Sequence, residues 1–215
     1  MDDPRPARRR HKEIRPQQLL DAALPLFVEK GFAATRAEEV ARRAGVSKGT
    51  LYLYYPSKAE LFKAVVRHHI AALIGQAGQI VASAEGGTGA LLRRLLEQWW
   101  TRIAASEVGG LHKVVLSEVR NFPEIAQFYV DEVVQPARSL FESLVRRGIG
   151  RGEFRPVDVS ATANALMAPM IFLLLHEHSF AACPVQGFEL DPVAVLAAHI
   201  DLVLDGLHVR GEGAR

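Results

Sequence analysis

The chain is poor in cysteine and has no long apolar run. Among its 215 residues, Cys183 is the single cysteine, so no internal disulfide can form and the composition suits a reducing compartment. The longest apolar run, residues 165–175, contains Pro169 and is shorter than the roughly 18–20 residues that a bilayer span needs. The basic first residues lack the apolar stretch of a signal peptide. We therefore expect a cytoplasmic protein without a membrane contact.

Catalytic and metal-binding motifs are also missing from the sequence. There is no HExxH motif, cysteine pair or nucleophile motif, and residues 86–89 are too poor in pattern to cradle a phosphate. His176 and His178 lie two positions apart, which on a helix turns them about 200° away from each other. The neighbours His68 and His69 fail as a chelating pair in a similar way. We expect no catalysis, no cofactor and no metal, with the histidines serving as surface or pocket groups.

Positive charge is concentrated in the first third of the chain. Residues 1–63 carry 13 Lys and Arg against 8 Asp and Glu, whereas residues 64–215 carry 13 against 16. A local positive field favours a polyanion, because neutralised phosphates release condensed counterions. The alternative is a solvated charged face. The 49% of apolar residues is ample for a folded core in either case.

Capping residues and glycines divide residues 16–84 into four helices. Apolar residues recur at helical spacing from Pro16 to Lys30, and Gly31 follows at a typical helix end. Pro25 should bend this first helix. A Thr-x-x-Glu capping box over residues 35–38 starts a second helix, which ends at Gly45.

The third and fourth helices have equally clear starts. Ser47 can cap a helix that continues to about Tyr54 and that Pro56 prevents from extending. A second capping box over residues 57–60 starts a longer helix toward Ala84. Two helices as short as the second and third are marginal without tertiary support, and a three-residue turn makes them cross steeply. This is the pattern of a helix-turn-helix, whose second helix enters a DNA major groove about 12 Å wide.

The stretch over residues 19–66 resembles the DNA-binding domain of the TetR family of transcriptional regulators. The matching positions are Gly31, Phe32, Thr35, Val40, Ala41, residues 44–47, residues 49–52, Tyr55 and Lys58. The resemblance implies a helical homodimer in which residues up to about 63 bind operator DNA. The remaining residues would bind an effector and the second subunit.

The residues expected to contact DNA combine polar and charged side chains around the third helix. Lys48 can reach a base edge or a phosphate, and Gly49 lets the backbone approach closely. Thr50 offers a hydroxyl and a methyl group, and the resemblance directs Tyr52 to the DNA backbone or a thymine methyl, although ordinary packing is its alternative. Lys58 at a helix N-terminus should clamp a phosphate. The full predicted set is Thr35, Arg36, Lys48, Gly49, Thr50, Tyr52, Tyr54 and Lys58.

A basic arm, residues 1–15, precedes the first helix and shows no apolar pattern. Its cations could enter an adjacent minor groove, or the arm could be a nonspecific solubilising tail. These cations are Arg5, Arg8, Arg9, Arg10, Lys12 and Arg15.

The rest of the chain, residues 64–215, carries five further helical patterns that bring the expected total to about nine. They run over about 89–106, 110–121, 123–148, 158–181 and 191–209. The core Ser-Glu-x-x-Asn-Phe-Pro-Glu around residues 117–124 resembles the AefR-like subtype of the family.

The last two helical patterns are the expected dimer interface. The pattern over 160–176 is apolar almost all round and needs a second cover, which a two-fold four-helix contact would provide. An entirely intramolecular core is the alternative. The residues expected from the last helix are Val193, Leu196, Ile200, Val203 and Leu207.

The expected ligand pocket follows from aromatic and methionine side chains on the helices that enclose the pocket in proteins of this family. Such side chains suit an adaptable apolar cavity, although each could equally belong to the core. The set is Trp99, Trp100, Ile103, Leu116, Phe128, Met167, Met170 and Phe172.

The sequence thus predicts an all-α protein with a basic arm (1–15), a helix-turn-helix domain (16–63) and an effector-binding and dimerisation domain (64–215). We expect a repressor that a small, largely apolar or aromatic ligand releases from double-stranded operator DNA. Two alternatives remain open. The same fold could serve a transcriptional activator, or a helical carrier or enzyme could retain a vestigial DNA-binding domain.

Overall fold

A computed structural model of the chain describes residues 16–181, 187 and 189–209. The arm over residues 1–15 and Cys183 lie outside these residues. Within them the fold is all-α with nine helices, as predicted. The first three are α1 (Pro16–Ala34), α2 (Ala37–Arg43) and α3 (Lys48–Tyr54).

Four of the six remaining helices contain a π-turn. Helix α4 consists of Lys58–Val66, the π-turn Arg67–Ala71 and Ala72–Ser83. Helix α5 is Thr88–Trp99 followed by Trp100–Ala104, and α6 is Gly110–Glu118 after a 3₁₀ turn, Glu107–Gly109. Helix α7 is Pro123–Tyr129, Val130–Val134 and Gln135–Gly150. Helix α8 is Val159–Leu175 and His176–Phe180, and α9 is Pro192–Leu207.

Local signals account for most of the helix boundaries. Ser47 accepts a bond from the Thr50 N–H (3.0 Å), and Ser57 accepts one from the Glu60 N–H (3.1 Å), so both predicted caps are confirmed. Gly31 has φ 80°, a left-handed conformation that suits glycine and kinks α1 near its end. The predicted fourth helix is confirmed as α4, interrupted by its π-turn.

The capping box predicted at Thr35 is wrong. The N-cap residue of α2 is Arg36, which makes no side-chain cap. The Thr35 hydroxyl lies instead 2.9 Å from the Leu26 carbonyl and 2.7 Å from the Gly31 carbonyl. Thr35 therefore fastens the turn between α1 and α2.

The first of two apolar cores joins the DNA-binding helices to α6 and the start of α7. Phe27, Phe32 and Phe62 form an aromatic cluster with ring centroids 5.0 to 6.1 Å apart. Phe122, which directly precedes α7, adds its ring at 4.7 Å from Phe32. Leu111 and Ile125 are buried in the same core. The boundary predicted near residue 63 is thus bridged by continuous packing.

The second core lies between the end of α4, α5, α7, α8 and α9. The last helix turns Leu196, Ile200 and Leu207 into this core, where each is less than 5% exposed. These three residues were expected at the dimer interface. That expectation is wrong for these three residues, because their side chains are buried within their own protomer.

Helix α8 is apolar on both sides. By length and composition alone, Val159–Phe180 could cross a membrane. In the fold it packs in the second core with Ala163, Leu166 and Leu173 fully buried, and it contains Pro169. Its outer side exposes Phe172.

Candidate DNA-binding surface and ligand cavity

Helix α3 exposes one face to solvent, and its opposite face is anchored in the first core. Leu51 is fully buried and anchors the helix to the first core. On the opposite side, Tyr52 is 36% exposed, Tyr54 is 44% exposed and Leu53 is 84% exposed. Sequence reasoning missed Leu53, whose bare apolar side chain suits a thymine methyl. Its signal was the apolar residue placed between two tyrosines that were themselves predicted contacts.

Lys48 lies at the start of α3, where it forms an ion pair with a carboxylate. Its ammonium pairs with Glu38 on α2 and lies 5.7 Å from the ring centre of Tyr52. The hydrogen bond to Lys48 lowers the pKa of Glu38, so Glu38 is ionised at neutral pH. Glu38 therefore places a negative charge beside the surface predicted to face phosphates.

Lys58 lies at the start of α4 and points back toward the end of α1. Its ammonium donates to the Ala33 carbonyl (2.8 Å) and lies 4.6 Å from the centre of the Phe32 ring. Burial lowers the pKa of Lys58. The predicted phosphate contact would thus come from a lysine that already supports the helix-turn-helix.

The other predicted contacts differ in their exposure. Arg36 and Gly49 are exposed, and Thr50 is half-buried with its hydroxyl 2.8 Å from that of Ser47. Thr35 is 1% exposed and its hydroxyl is used within the protein. The structure therefore contradicts a side-chain contact between Thr35 and DNA.

An apolar cavity of about 230 Å³ lies between α4, α5, α7 and α8, with α6 at one end. Its wall is built almost entirely from aliphatic and aromatic side chains. The lining residues are Ile70, Leu73, Ile74, Ala77, Ile80, Leu95, Gln98, Trp99, Arg102, Ile103, His112, Tyr129, Val133, Val134, Ala137, Leu140, Phe141, Met167, Met170, Ile171 and Leu174.

Half of the predicted pocket residues line this cavity. Trp99, Ile103, Met167 and Met170 do so, and their role in ligand binding stays a prediction.

The other four do not line it, so their placement was wrong. Trp100 is buried in the second core, and Phe128 is buried in the first core beneath Lys63 and Arg67. Leu116 and Phe172 are exposed. Phe172 follows Met170 by two positions, which turns it about 200° away from the cavity.

The polar groups of the cavity were missed by sequence reasoning. Gln98, Arg102, His112 and Tyr129 supply them, and Arg102 is the charged member of the lining. Burial lowers the pKa of His112 to about 4, and Nδ1 of this histidine has no hydrogen-bond partner among the described residues. The ring centres of His112 and Tyr129 lie 5.7 Å apart. Burial also raises the pKa of Tyr129, so both groups are neutral at pH 7.

Two family models match separate parts of the chain. Residues 19–65 match the model of bacterial regulatory proteins of the tetR family. Residues 83–182 match the tetracyclin repressor-like C-terminal domain. The chain belongs to the TetR family. It is a DNA-binding transcriptional regulator, as the resemblance implied, and the finer AefR-like assignment stays a prediction.

Relatives and solved structures agree with the family over almost the full chain. The HTH-type transcriptional repressor KstR2 of Rhodococcus jostii is 29% identical over 202 residues, which cover 91% of this chain and 92% of that protein. The fatty acid metabolism regulator protein of Bacillus subtilis is 22% identical, with 92% and 98% covered. A regulator from Saccharomonospora viridis, solved with choline, has the same fold at a TM-score of 0.73 and 18% identity, covering 91% of this chain and 98% of that one.

In this TetR-family fold, α6 connects the cavity to the DNA-binding helices. His112 lines the cavity, whereas Gly110 at the start of the same helix lies directly against Val28 of α1. At the other end of α6, the Glu118 carboxylate accepts bonds from the Ala33 N–H (3.1 Å) and from the Asn121 amide (3.2 Å). The motif that resembled the AefR-like subtype thus holds α6 on the DNA-binding unit.

Helix α4 provides the second connection. Its first turns carry Phe62 and Val65 in the first core, and its later turns carry Ile70, Ile74 and Ile80 in the cavity wall. Helix α4 therefore connects the cavity wall to the base of the helix-turn-helix.

Proposed function

We propose that the protein is a repressor that leaves its operator when a largely apolar ligand with one polar or anionic end fills the cavity. The observation that carries this proposal is that α4 and α6 each contact both the cavity and the DNA-binding helices.

The lining of the cavity determines the chemistry of the proposed ligand. Aliphatic and aromatic walls favour a chain or ring system, and Gln98, Arg102, His112 and Tyr129 offer hydrogen bonds to one polar group. Arg102 is exposed and carries a charge, so it suits a carboxylate or phosphate at the rim.

Relatives support an acyl ligand in particular. The fatty acid metabolism regulator protein of Bacillus subtilis is among the relatives given above. The transcriptional regulator FadR of the same organism was solved in complex with stearoyl-CoA. This structure has a TM-score of 0.66 and 19% identity, covering 90% of this chain and all of that one. We therefore place fatty acids and acyl thioesters first among candidate ligands.

Release of the operator requires differential affinity. A dimer must hold its two α3 helices about 34–36 Å apart to reach successive major grooves. A ligand that binds better to a dimer with another spacing shifts the population away from DNA, and DNA weakens ligand binding by the same factor.

We propose that the dimer forms through α8 and α9, as the sequence predicted. The outer faces of these helices expose Phe172, Val193 and Leu202, with Leu202 74% exposed. An exposed apolar patch of this kind marks an interaction surface. Leu202→Asp should give a monomer in sedimentation at micromolar concentration, whereas Leu53→Asp on α3 should stay dimeric and lose DNA binding.

The decisive experiment begins with selection of bound duplexes from a random pool. Affinity for the selected operator should fall steeply with salt concentration, because phosphate contacts release counterions. Calorimetry with fatty acids and acyl thioesters, with and without operator, should then show weaker ligand binding in the presence of DNA. Equal affinity for all duplexes would contradict the proposal that the protein recognises a specific operator. Unchanged ligand affinity would exclude that compound as an inducer.

Activation in place of repression is the second candidate. Over 63 residues the chain is 44% identical to the HTH-type transcriptional activator FasR of Mycolicibacterium smegmatis, which covers 29% of each protein. This match is confined to a short part of the chain, so the repressor is favoured by the longer match to KstR2. A reporter with the selected operator distinguishes the two.

A further inference from the structure

Three metal-ligating side chains meet where α1 crosses α4. Asp21 belongs to α1, and His68 and His69 belong to the π-turn of α4. One ligand atom of each residue lies within 4.8 Å of the corresponding atom of the other two. From these residues we propose a binding site for a first-row divalent cation such as Zn²⁺ or Co²⁺.

The sequence argument against a metal considered the two histidines alone. The missing member was Asp21, which is 47 positions away and reaches the cluster through the packing of α1 on α4. Two imidazoles and a carboxylate form a donor set that suits Zn²⁺ and Co²⁺ and suits Mg²⁺ poorly.

The distances allow closure around an ion. Two bonds of about 2.1 Å at a tetrahedral angle separate their ligand atoms by about 3.4 Å. The cluster must therefore contract by up to about 1.4 Å. Asp21 is exposed, so rotation of its side chain can supply part of this movement.

One potential metal-ligating atom of the cluster has no hydrogen-bond partner in the part of the chain that the structure describes. Nε2 of His69 is buried and has no hydrogen-bond partner among the described residues, which is costly for a polar atom. The His68 and His69 rings contact edge to face, with centroids 4.8 Å apart. Gln17 lies 2.9 Å from Nε2 of His68, so an ion bound through that nitrogen replaces this hydrogen bond.

The position of the site gives the ion a structural consequence. Helix α1 belongs to the DNA-binding unit, and the π-turn of α4 contains Ile70, which lines the cavity. π-turns often occur at functional sites. A bound cation therefore fastens α1 to α4 at the junction through which the cavity would act on DNA.

The test uses the full-length chain without a histidine tag. Calorimetry with Zn²⁺ should show one ion per protomer, and Co²⁺ should give the visible absorption of a coordinated site. The variants His69→Ala and Asp21→Asn should each weaken Zn²⁺ binding by at least about tenfold, since loss of a mere outer-shell partner already costs that much. His208→Ala, an exposed histidine at the end of α9, is the matched control and should bind as the wild type does.

A second measurement separates metal loss from misfolding. Zn²⁺ should raise the unfolding temperature of the wild type and of His208→Ala, because an ion that binds the folded state stabilises it. At the same Zn²⁺ concentration it should raise the unfolding temperature of Asp21→Asn clearly less. Asp21 is exposed, so this variant keeps its fold. Zn²⁺ binding by the His68→Ala/His69→Ala double variant that equals wild-type binding would overturn the proposal, as would absence of Co²⁺ absorption in the wild type.

Discussion

Replacement of Gly110 by alanine should destabilise the protein, although alanine is the better helix former. The new Cβ would lie 2.4 Å from Cγ1 of Val28, 3.1 Å from Cγ2 and 3.3 Å from Cβ. Rotation of Val28 cannot remove all three close contacts, and a β-branched side chain in a helix strongly prefers one rotamer. Because Gly110 has a helical φ of −60°, backbone strain plays no part.

The expected magnitude is a balance of two effects. Overpacking typically costs about 1–3 kcal/mol. The change from glycine to alanine within a helix returns about 0.5–1 kcal/mol. Because one contact would be only 2.4 Å long, the upper part of the overpacking range applies, about 2–3 kcal/mol, and Gly110→Ala should lower the free energy of unfolding by about 1–2.5 kcal/mol. Val28→Ala alone should cost about 1 kcal/mol, because Val28 is half-buried.

The double variant provides the sharp test. With the Val28 methyl groups removed, the alanine at position 110 has room, so the two substitutions should couple favourably by about 1–2 kcal/mol. Urea unfolding followed by circular dichroism, at one protein concentration, measures all four stabilities. Gly75→Ala is the control, because no heavy atom lies within 4 Å of its added Cβ, and it should be neutral or stabilising. Additive effects, or a Gly110→Ala protein as stable as the wild type, would refute close packing of α6 on α1.

Three further predictions concern the cavity and the DNA surface. Since burial lowers the pKa of His112 to about 4 from 6.5, the unfolded state binds more protons between these values. The free energy of unfolding should fall as pH drops through this window, and His112→Leu should flatten the curve in urea titrations. Glu38→Gln should tighten duplex binding in fluorescence anisotropy by freeing Lys48, and because this pair is exposed the change should have little effect on stability; weaker binding would contradict this role. A cavity ligand should quench the fluorescence of Trp99, so Trp99→Phe should lose the response that Trp100→Phe keeps.

Local signals explain why so much of the fold could be predicted. The caps Ser47 and Ser57 and the left-handed Gly31 act through backbone bonds to near neighbours, so their effect is visible in a short stretch of sequence. Thr35 shows the limit of such signals. The sequence indicated a helix cap, whereas the packing of α1 on α2 places its hydroxyl against the carbonyls of Leu26 and Gly31.

The site could be predicted only in part, because residue type does not tell which face of a helix it occupies. Trp99 and Trp100 are identical in type, yet one lines the cavity and the other fills the second core. A π-turn adds one residue to a turn, so positions after it are displaced by about 100° from the α-helical register. The helices that line the cavity contain several such turns, and none was expected. Arg102 and Tyr129 were missed because single polar residues on amphipathic helices look the same whether they face a cavity or solvent.

The π-turns of α4 and α7 also place the connections between cavity and DNA in one region. Arg67 from the first turn donates two hydrogen bonds to Glu132 of the second, at 2.8 and 3.1 Å, and lies 4.9 Å from the centre of the Phe128 ring. This ion pair is substantially exposed, so it adds little to stability by itself. The pair marks the place where the two π-turns lie against each other.

A ligand in the cavity and a cation at Asp21 would therefore act on the same short segment of α4 from opposite sides. Two ligands that bias one element are thermodynamically coupled, and each must change the affinity of the other by the same factor. If both favour the same position of α4, the cation tightens ligand binding. If they favour different positions, the cation weakens ligand binding and supports the DNA-bound form. The sign of this coupling therefore reports whether the cation and the cavity ligand favour the same position of α4.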